Sequence, residues 1–167
     1  AKYPELANRS LIVYSFGKTF HVTGWKTGYA VGPSNLMAEF RKVHQFNVFT
    51  ANAPIQYALA EYMSSSENYM HIHEVYQEKR NIFLSAVKAS WFKLKPTKGT
   101  YFQLLDYSKI SNEEDTALAT RLTIEHKIAS IPVSVFYHNP VQNSVLRFCF
   151  AKENDTLMKA GDILCNI

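Results

Sequence analysis

Cysteine is scarce in this chain: Cys149 and Cys165 are the only two among 167 residues. Neither stands at a metal-ligand spacing, and so small a number points to a reducing compartment, which makes a cytoplasmic location the expectation. The six histidines form no metal pattern either. His71 and His73 stand two apart, which on a helix turns them to different faces. Long apolar runs are missing as well; none approaches the ~20 residues that a membrane span needs, so no membrane partner is expected. Basic residues outnumber acidic ones by 18 to 14, a formal charge of +4, yet no run of Lys or Arg exceeds two. A basic arm is not evident, and nucleic acid is not an expected partner. Repeats and low-complexity tracts are absent, and Ala1 follows neither a start methionine nor a recognisable signal or transit peptide.

What remains is a composition that can fold. With 47% hydrophobic, 14% aromatic and 19% charged residues, the chain can bury a substantial core. Its most informative stretch follows the apolar run Leu11–Tyr14, which reads as a buried strand. Ser15 is followed by Lys18 three residues later, and Lys26 lies eight beyond that between Gly24 and Gly28. A hydroxyl and two lysines among glycines suit an anionic ligand with a reactive carbonyl: Lys18 as the amine that bonds it, Ser15 and Lys26 as phosphate donors. A lysine amine attacks only without its proton, a state that burial and a neighbouring cation favour. The plainer readings are a surface lysine and a Ser15 hydroxyl that bonds its own backbone.

Ser15-x-x-Lys18 with Gly24-Trp25-Lys26-x-Gly28 resembles the cofactor-lysine segment of the class I/II aminotransferases, the fold-type I pyridoxal-phosphate enzymes. Gly17-Lys18-Thr19-Phe20 and Thr23-Gly24-Trp25-Lys26 are most similar to their kynurenine and methionine aminotransferase branch, where Lys is usual at the position of Lys26. The likeness continues through Val43-His44-Gln45, Gly99-Thr100-Tyr101-Phe102, Ile131–Phe136 and Arg147–Phe150, and so spans nearly the whole chain. It implies an α/β fold: the C-terminal part of a fold-type I transferase whose members are more than twice as long. Residues 1–66 would be the remnant of the large cofactor-binding domain with its Schiff-base lysine. Residues 67–167 would be a long connecting helix and a small α+β domain.

The resemblance assigns roles residue by residue. Lys18 is the catalytic lysine, and Ser15, Lys18 and Lys26 bind pyridoxal 5'-phosphate. Arg147 takes the substrate α-carboxylate; the alternation of its strand puts it with Val145 and Cys149, opposite Leu146, Phe148 and Phe150. The alternative for Arg147 is a salt bridge to a local Asp or Glu. Phe49, in an unpatterned loop, would line the partner subunit's site in a homodimer, or simply pack. Tyr101 and Phe102 would face the cleft or the core. Gly24 and Gly28 would permit backbone conformations or close approaches that other residues block, and Trp25 would pack. The substrates would be an amino acid (methionine, aromatic, glutamine or kynurenine) and a 2-oxo acid. A carbon–sulfur β-lyase and the aminotransferase-like effector domain of a transcription regulator share these features. The remaining cofactor contacts of the family precede Ala1, so the chain alone is expected to be inactive.

Periodicity supplies the remaining elements. Residues 1–8 read as an exposed loop. Helices are expected after Pro33-Ser34 with Leu36, Phe40 and Val43 on one face, then after Asn52 and Pro54, and from about Glu67 towards Ala89, with residues 45–51 as a loop. Strands follow around Phe92–Leu94, Tyr101–Leu105, Ile128–Pro132 and Val145–Phe150. One helix capped within Asn112–Glu114 and a last one capped by Asn154 or Asp155 complete the chain.

Overall fold

The computed structural model describes residues 2–139, 141 and 143–167. The chain divides into two compact units, Ala1–Ile72 and His73–Ile167. The first opens with a short helix, α1 (Pro4–Ala7), where a loop is expected from the sequence. Pro4 at its first position and Glu5 in its first turn favour a helix start. Strand β1 (Ile12–Ser15) leads into α2 (Phe16–Thr19) and a 3-10 turn at Thr23–Trp25, and β2 (Gly28–Val31) returns antiparallel to β1. The register pairs Ile12 with Val31, Tyr14 with Tyr29 and Ser15 with Gly28. The strand at Leu11–Tyr14 is thus present but not buried: all four residues of β1 are exposed, Val13 at 72%. Its ribbon has two strands only, so β2 is its one lateral partner among the described residues.

Helix α3 (Ser34–Asn47) runs three residues into the expected loop, with Pro33 at its N-cap. Helix α4 (Ala53–Tyr62) starts as its sequence dictates, with the Asn52 side chain accepting a hydrogen bond from Ile55 N at 3.3 Å and Pro54 in the first turn. The single long helix expected from Glu67 is broken instead into α5 (Glu67–Met70) and α6 (Ile72–Ala86). The end of α4 meets this break through Tyr62. Its hydroxyl donates to the Asn68 carbonyl at 3.3 Å, an oxygen that a continuous helix would give to Ile72 N, while Asn68 Nδ2 donates back to the Tyr62 carbonyl at 2.6 Å.

The second unit, which α6 enters, is a sheet covered on one face by helices. Strands β3 (Lys93–Leu94), β4 (Phe102–Asp106), β5 (Ile131–Pro132) and β6 (Val145–Cys149) form an antiparallel sheet in the order β3-β4-β6-β5. Helices α7 (Asp115–His126) and α8 (Asn154–Cys165) complete it. Glu114 and Glu153 occupy their N-caps without a side-chain capping bond, so Asn154 is the first helical residue of α8 rather than its cap. Phe83, Val87, Leu105, Tyr107, Leu118, Leu122, Leu146, Phe148, Phe150, Leu157 and Leu164 make the core. Gly161 lets α8 close on α6: a methyl group there would collide with Ala86. On β6 burial alternates as the pattern requires, with Leu146 and Phe148 inside and Val145, Arg147 and Cys149 on the half-exposed face.

Candidate active site

In the first unit, the β1–β2 pairing brings the sequence-predicted cofactor residues into one short segment. Ser15 ends β1 and caps α2, its Oγ accepting from Gly17 N at 3.1 Å. The expectation that this hydroxyl bonds its own backbone is therefore met in part. The bond uses a lone pair only, and the hydroxyl proton stays free to donate to an anion. Lys18 lies on α2, in its last turn. Lys26 closes the 3-10 turn in the left-handed region, φ 52° and ψ 36°, and reverses the chain. Phe16 N donates to the Thr27 carbonyl at 3.2 Å, and Thr27 Oγ1 donates to the Trp25 carbonyl at 3.0 Å, which holds this reversal to the end of β1. Gly28 is obligatory for the approach, since a methyl group there would strike the Tyr14 carbonyl oxygen. Gly24 faces open space and has no positive φ, so the constraint expected for both glycines holds for one.

Ser15, Lys18 and Lys26 are all exposed in this unit, so the burial expected to help free the Lys18 amine is not provided by the described residues around it. Trp25 is 42% exposed rather than packed away. A hydroxyl with a free proton and two ammonium side chains on one reversed segment is a donor set for a phosphate and a carbonyl. The residues fit pyridoxal 5'-phosphate in chemistry. Phe49 is 77% exposed with φ 71°, a backbone region a bulky side chain seldom adopts, and its N–H is held by the His44 carbonyl at 2.9 Å. It does not pack as an ordinary loop aromatic would.

Arg147 belongs to the second unit, where β6 places it opposite Leu104 on β4 and Ile131 on β5. Its guanidinium carbon lies 4.1 Å from the centre of the Phe102 ring and 4.9 Å from that of Phe136. Its Nε is buried without a hydrogen-bond partner, and no carboxylate among the described residues pairs with it. The salt bridge to a local acid, open as an alternative from the sequence, is not formed there. Phe102 faces this arginine, and the Tyr101 ring lies tilted against Phe102, centroids 4.3 Å apart, while packing against the core. Phe136 is the site residue that sequence reasoning missed. Its one signal is an aromatic just past Ile131-Pro132-Val133-Ser134, whose direction periodicity cannot give.

An α/β chain with a lysine on a capped turn and an arginine set in aromatic rings has the parts of a pyridoxal-phosphate transferase. Comparison with known proteins settles the family. Residues 1–161 match aminotransferase class I and II, and the chain belongs to that family, whose cofactor is pyridoxal 5'-phosphate. It is 44% identical over 163 residues to the methionine aminotransferase of Escherichia coli (strain K12), covering 97% of this chain and 42% of that protein. It is 31% identical to the kynurenine–oxoglutarate transaminase of Dictyostelium discoideum, covering all of this chain and 43% of that one. A crystal structure of an Escherichia coli methionine aminotransferase superposes with a TM-score of 0.95 at 43% identity, over 99% of this chain and 44% of the other. That of N-succinyldiaminopimelate aminotransferase from Mycobacterium tuberculosis gives 0.89 at 28% identity, over 98% and 43%. The chain thus spans somewhat under half the length of the relatives it matches.

Proposed function

We propose that the protein carrying this chain is an aminotransferase that moves an amino group between an amino acid and a 2-oxo acid, with methionine, aromatic amino acids, glutamine and kynurenine as the amino donors to test first. Arg147 carries this reading. A cation lying against two rings, with a buried N–H that nothing among the described residues satisfies, suits an external carboxylate, and every amino acid and 2-oxo acid brings one. Ser15 would donate its hydroxyl proton to the cofactor phosphate, and Lys26 would supply a point charge to the same group. Lys18 Nζ would condense with the carbonyl of the cofactor with loss of water and, once the substrate amine had displaced it, would be free to take the proton from the substrate Cα. When bound, the cofactor supplies an electron sink for the charge left on that carbon. Arg147 would hold the substrate carboxylate and so fix the orientation of the amino acid.

Residues 1–66 are assigned to a large cofactor-binding domain and 67–167 to a connecting helical region and small domain. The working form would be a homodimer in which Phe49, exposed and held in a strained backbone, reaches the partner's site. Both cysteines are free, in keeping with a reducing, cytoplasmic setting. The 167-residue chain by itself is proposed to be inactive, because Ser15, Lys18 and Lys26 are exposed in it.

The test combines borohydride reduction of the cofactor-loaded protein with a product assay. A reduced pyridoxyl label on Lys18 and transfer of the amino group to a 2-oxo acid support the reading. A label on another residue overturns the lysine assignment. Release of pyruvate and ammonia without transfer would make the protein a β-lyase.

A further inference from the structure

Arg147 poses a positioning problem. A guanidinium is planar, with all five N–H donors in its plane, and it binds a carboxylate bidentately only if that plane is fixed. Protein guanidinium groups are commonly fixed by a neighbouring carboxylate, but such a partner neutralises the charge and occupies the N–H groups a ligand needs. Here two aromatic faces lie against the group instead, Phe102 at 4.1 Å and Phe136 at 4.9 Å. Ring faces attract the cation without consuming an in-plane donor. The two rings are secured very differently. Phe102 sits within β4, paired with Cys149 of β6. Phe136 is 62% exposed on a single 3-10 turn, Ser134–Phe136.

That turn is held by Asp115, the first residue of α7. Asp115 is 5% exposed, and both of its oxygens are spent on one residue: Ser134 N donates to Oδ2 at 2.7 Å and Ser134 Oγ to Oδ1 at 2.6 Å. The N-terminus of α7 favours the negative charge there. We propose that Phe102 and Phe136 form a two-sided aromatic clamp that fixes the plane of the Arg147 guanidinium, and that Asp115 is a positioning residue for carboxylate binding because it anchors the turn that carries Phe136. The inference rests on the reading that Arg147 receives the substrate carboxylate.

The test compares a carboxylate with its neutral isostere, 3-phenylpropanoate against 3-phenylpropanamide, titrated into 15N-labelled protein and followed at the Arg147 Nε–H resonance and the backbone amides. Damage to the fold lowers the affinity for both ligands, whereas a misaligned guanidinium lowers the ratio between them. Phe136→Leu is expected to cut that ratio roughly three- to tenfold, the loss of one cation–π face. Phe136→Trp, which keeps a face, should restore it to within about twofold. Asp115→Asn and Ser134→Ala should lower it in the same direction. Should Asp115→Asn fail to fold, Ser134→Ala tests the anchor alone.

An unchanged ratio in Phe136→Leu, with the preference lost in Arg147→Gln, overturns the clamp and leaves the arginine reading intact. A preference that survives Arg147→Gln removes the carboxylate reading and the clamp with it. A ratio that moves with Phe136 but with neither Ser134→Ala nor a folded Asp115→Asn overturns the role of Asp115.

Discussion

Gly24 and Gly28 belong to the same short motif, yet the structure assigns them opposite sensitivities. Gly28 faces the backbone of β1, where a methyl group would run into the Tyr14 carbonyl oxygen and stand 3.3 Å from Ser15 Cα. Neither neighbour is the movable end of a side chain, so the strands must part at the Ser15–Gly28 pair to admit it. Overpacking against groups that cannot rotate away costs about 1–3 kcal/mol. Any parting of the pair also shifts Ser15 relative to Lys26. A methyl group at Gly24 meets nothing within 4 Å, at a backbone conformation open to any residue. Gly24→Ala should therefore be near neutral, or slightly stabilising through the unfolded chain. Urea denaturation of the two variants, with cofactor titrations on the complete protein, is the assay. Gly28→Ala is expected to lower the denaturation midpoint and weaken cofactor binding, and Gly24→Ala to do neither. Equal losses in the two variants would refute the argument from close approach, and so would a fully tolerant Gly28→Ala.

Gly161→Ala makes a similar test within the second unit. Helix propensity alone would favour Ala in α8 by about 1 kcal/mol, but the methyl group meets Ala86 of α6, so thermal denaturation should show net destabilisation of about 1–3 kcal/mol. Asn52→Ala removes the side-chain bond to Ile55 N at the start of α4 and should cost about 1 kcal/mol in the same assay. Hydrogen bonds from Arg121, at 2.7 Å, and then from Ser111, at 2.8 Å, hold the Glu113 carboxyl below the usual carboxylate range. The folded state thus favours its ionised form, so the stability this pair adds is present above the ordinary carboxylate range and is lost as the pH falls through the depressed folded value. Glu113→Gln should be less stable than the parent at neutral pH and converge on it in acid; a constant difference across the titration would sink that account.

Elements with a repeating pattern were legible from the residues, and those shaped by a single tertiary bond were not. Strand β6 shows its two faces in its spelling, because Leu146 and Phe148 alternate with Arg147 and Cys149 and the buried face is continuous with the core. Helix α4 shows its start, because Asn52 and Pro54 act on their own neighbours. The break before α6 is different. The stretch from Glu67 to Ala86 is helical in composition throughout, and at the interruption the Tyr62 hydroxyl reaches the Asn68 carbonyl across a gap that periodicity does not span. The same distinction divides the site. Ser15, Lys18 and Lys26 stand out by spacing, whereas Phe136 reaches Arg147 from an irregular turn whose direction depends on Asp115, nineteen residues before Ser134. The exposure of β1 was also beyond reach, since an apolar run of four reads as buried whether or not the described chain supplies a cover.

The two candidate half-machineries are organised by different physics, and this bears on what each tolerates. The segment from Ser15 to Gly28 is set largely by backbone hydrogen bonds and two residues at positive φ: Phe16 N to the Thr27 carbonyl, the Ser15–Gly28 pair, His21 at φ 57° and Lys26 at φ 52°. Ser15 and Thr27 add side-chain bonds to that frame, whereas the Lys18 and Lys26 side chains are exposed, so both lysines can be replaced with little effect on the fold. Arg147 is set by packing. Leu146 and Phe148 on either side of it are buried in the core, so any slip of β6 by one residue would turn the arginine inward and a core residue outward. Its register is fixed by the stability of the whole second unit. Substitutions among Leu105, Leu146 and Phe148 should therefore disturb carboxylate binding through the strand, whereas loss of Lys18 should leave that binding in place and abolish only the covalent step.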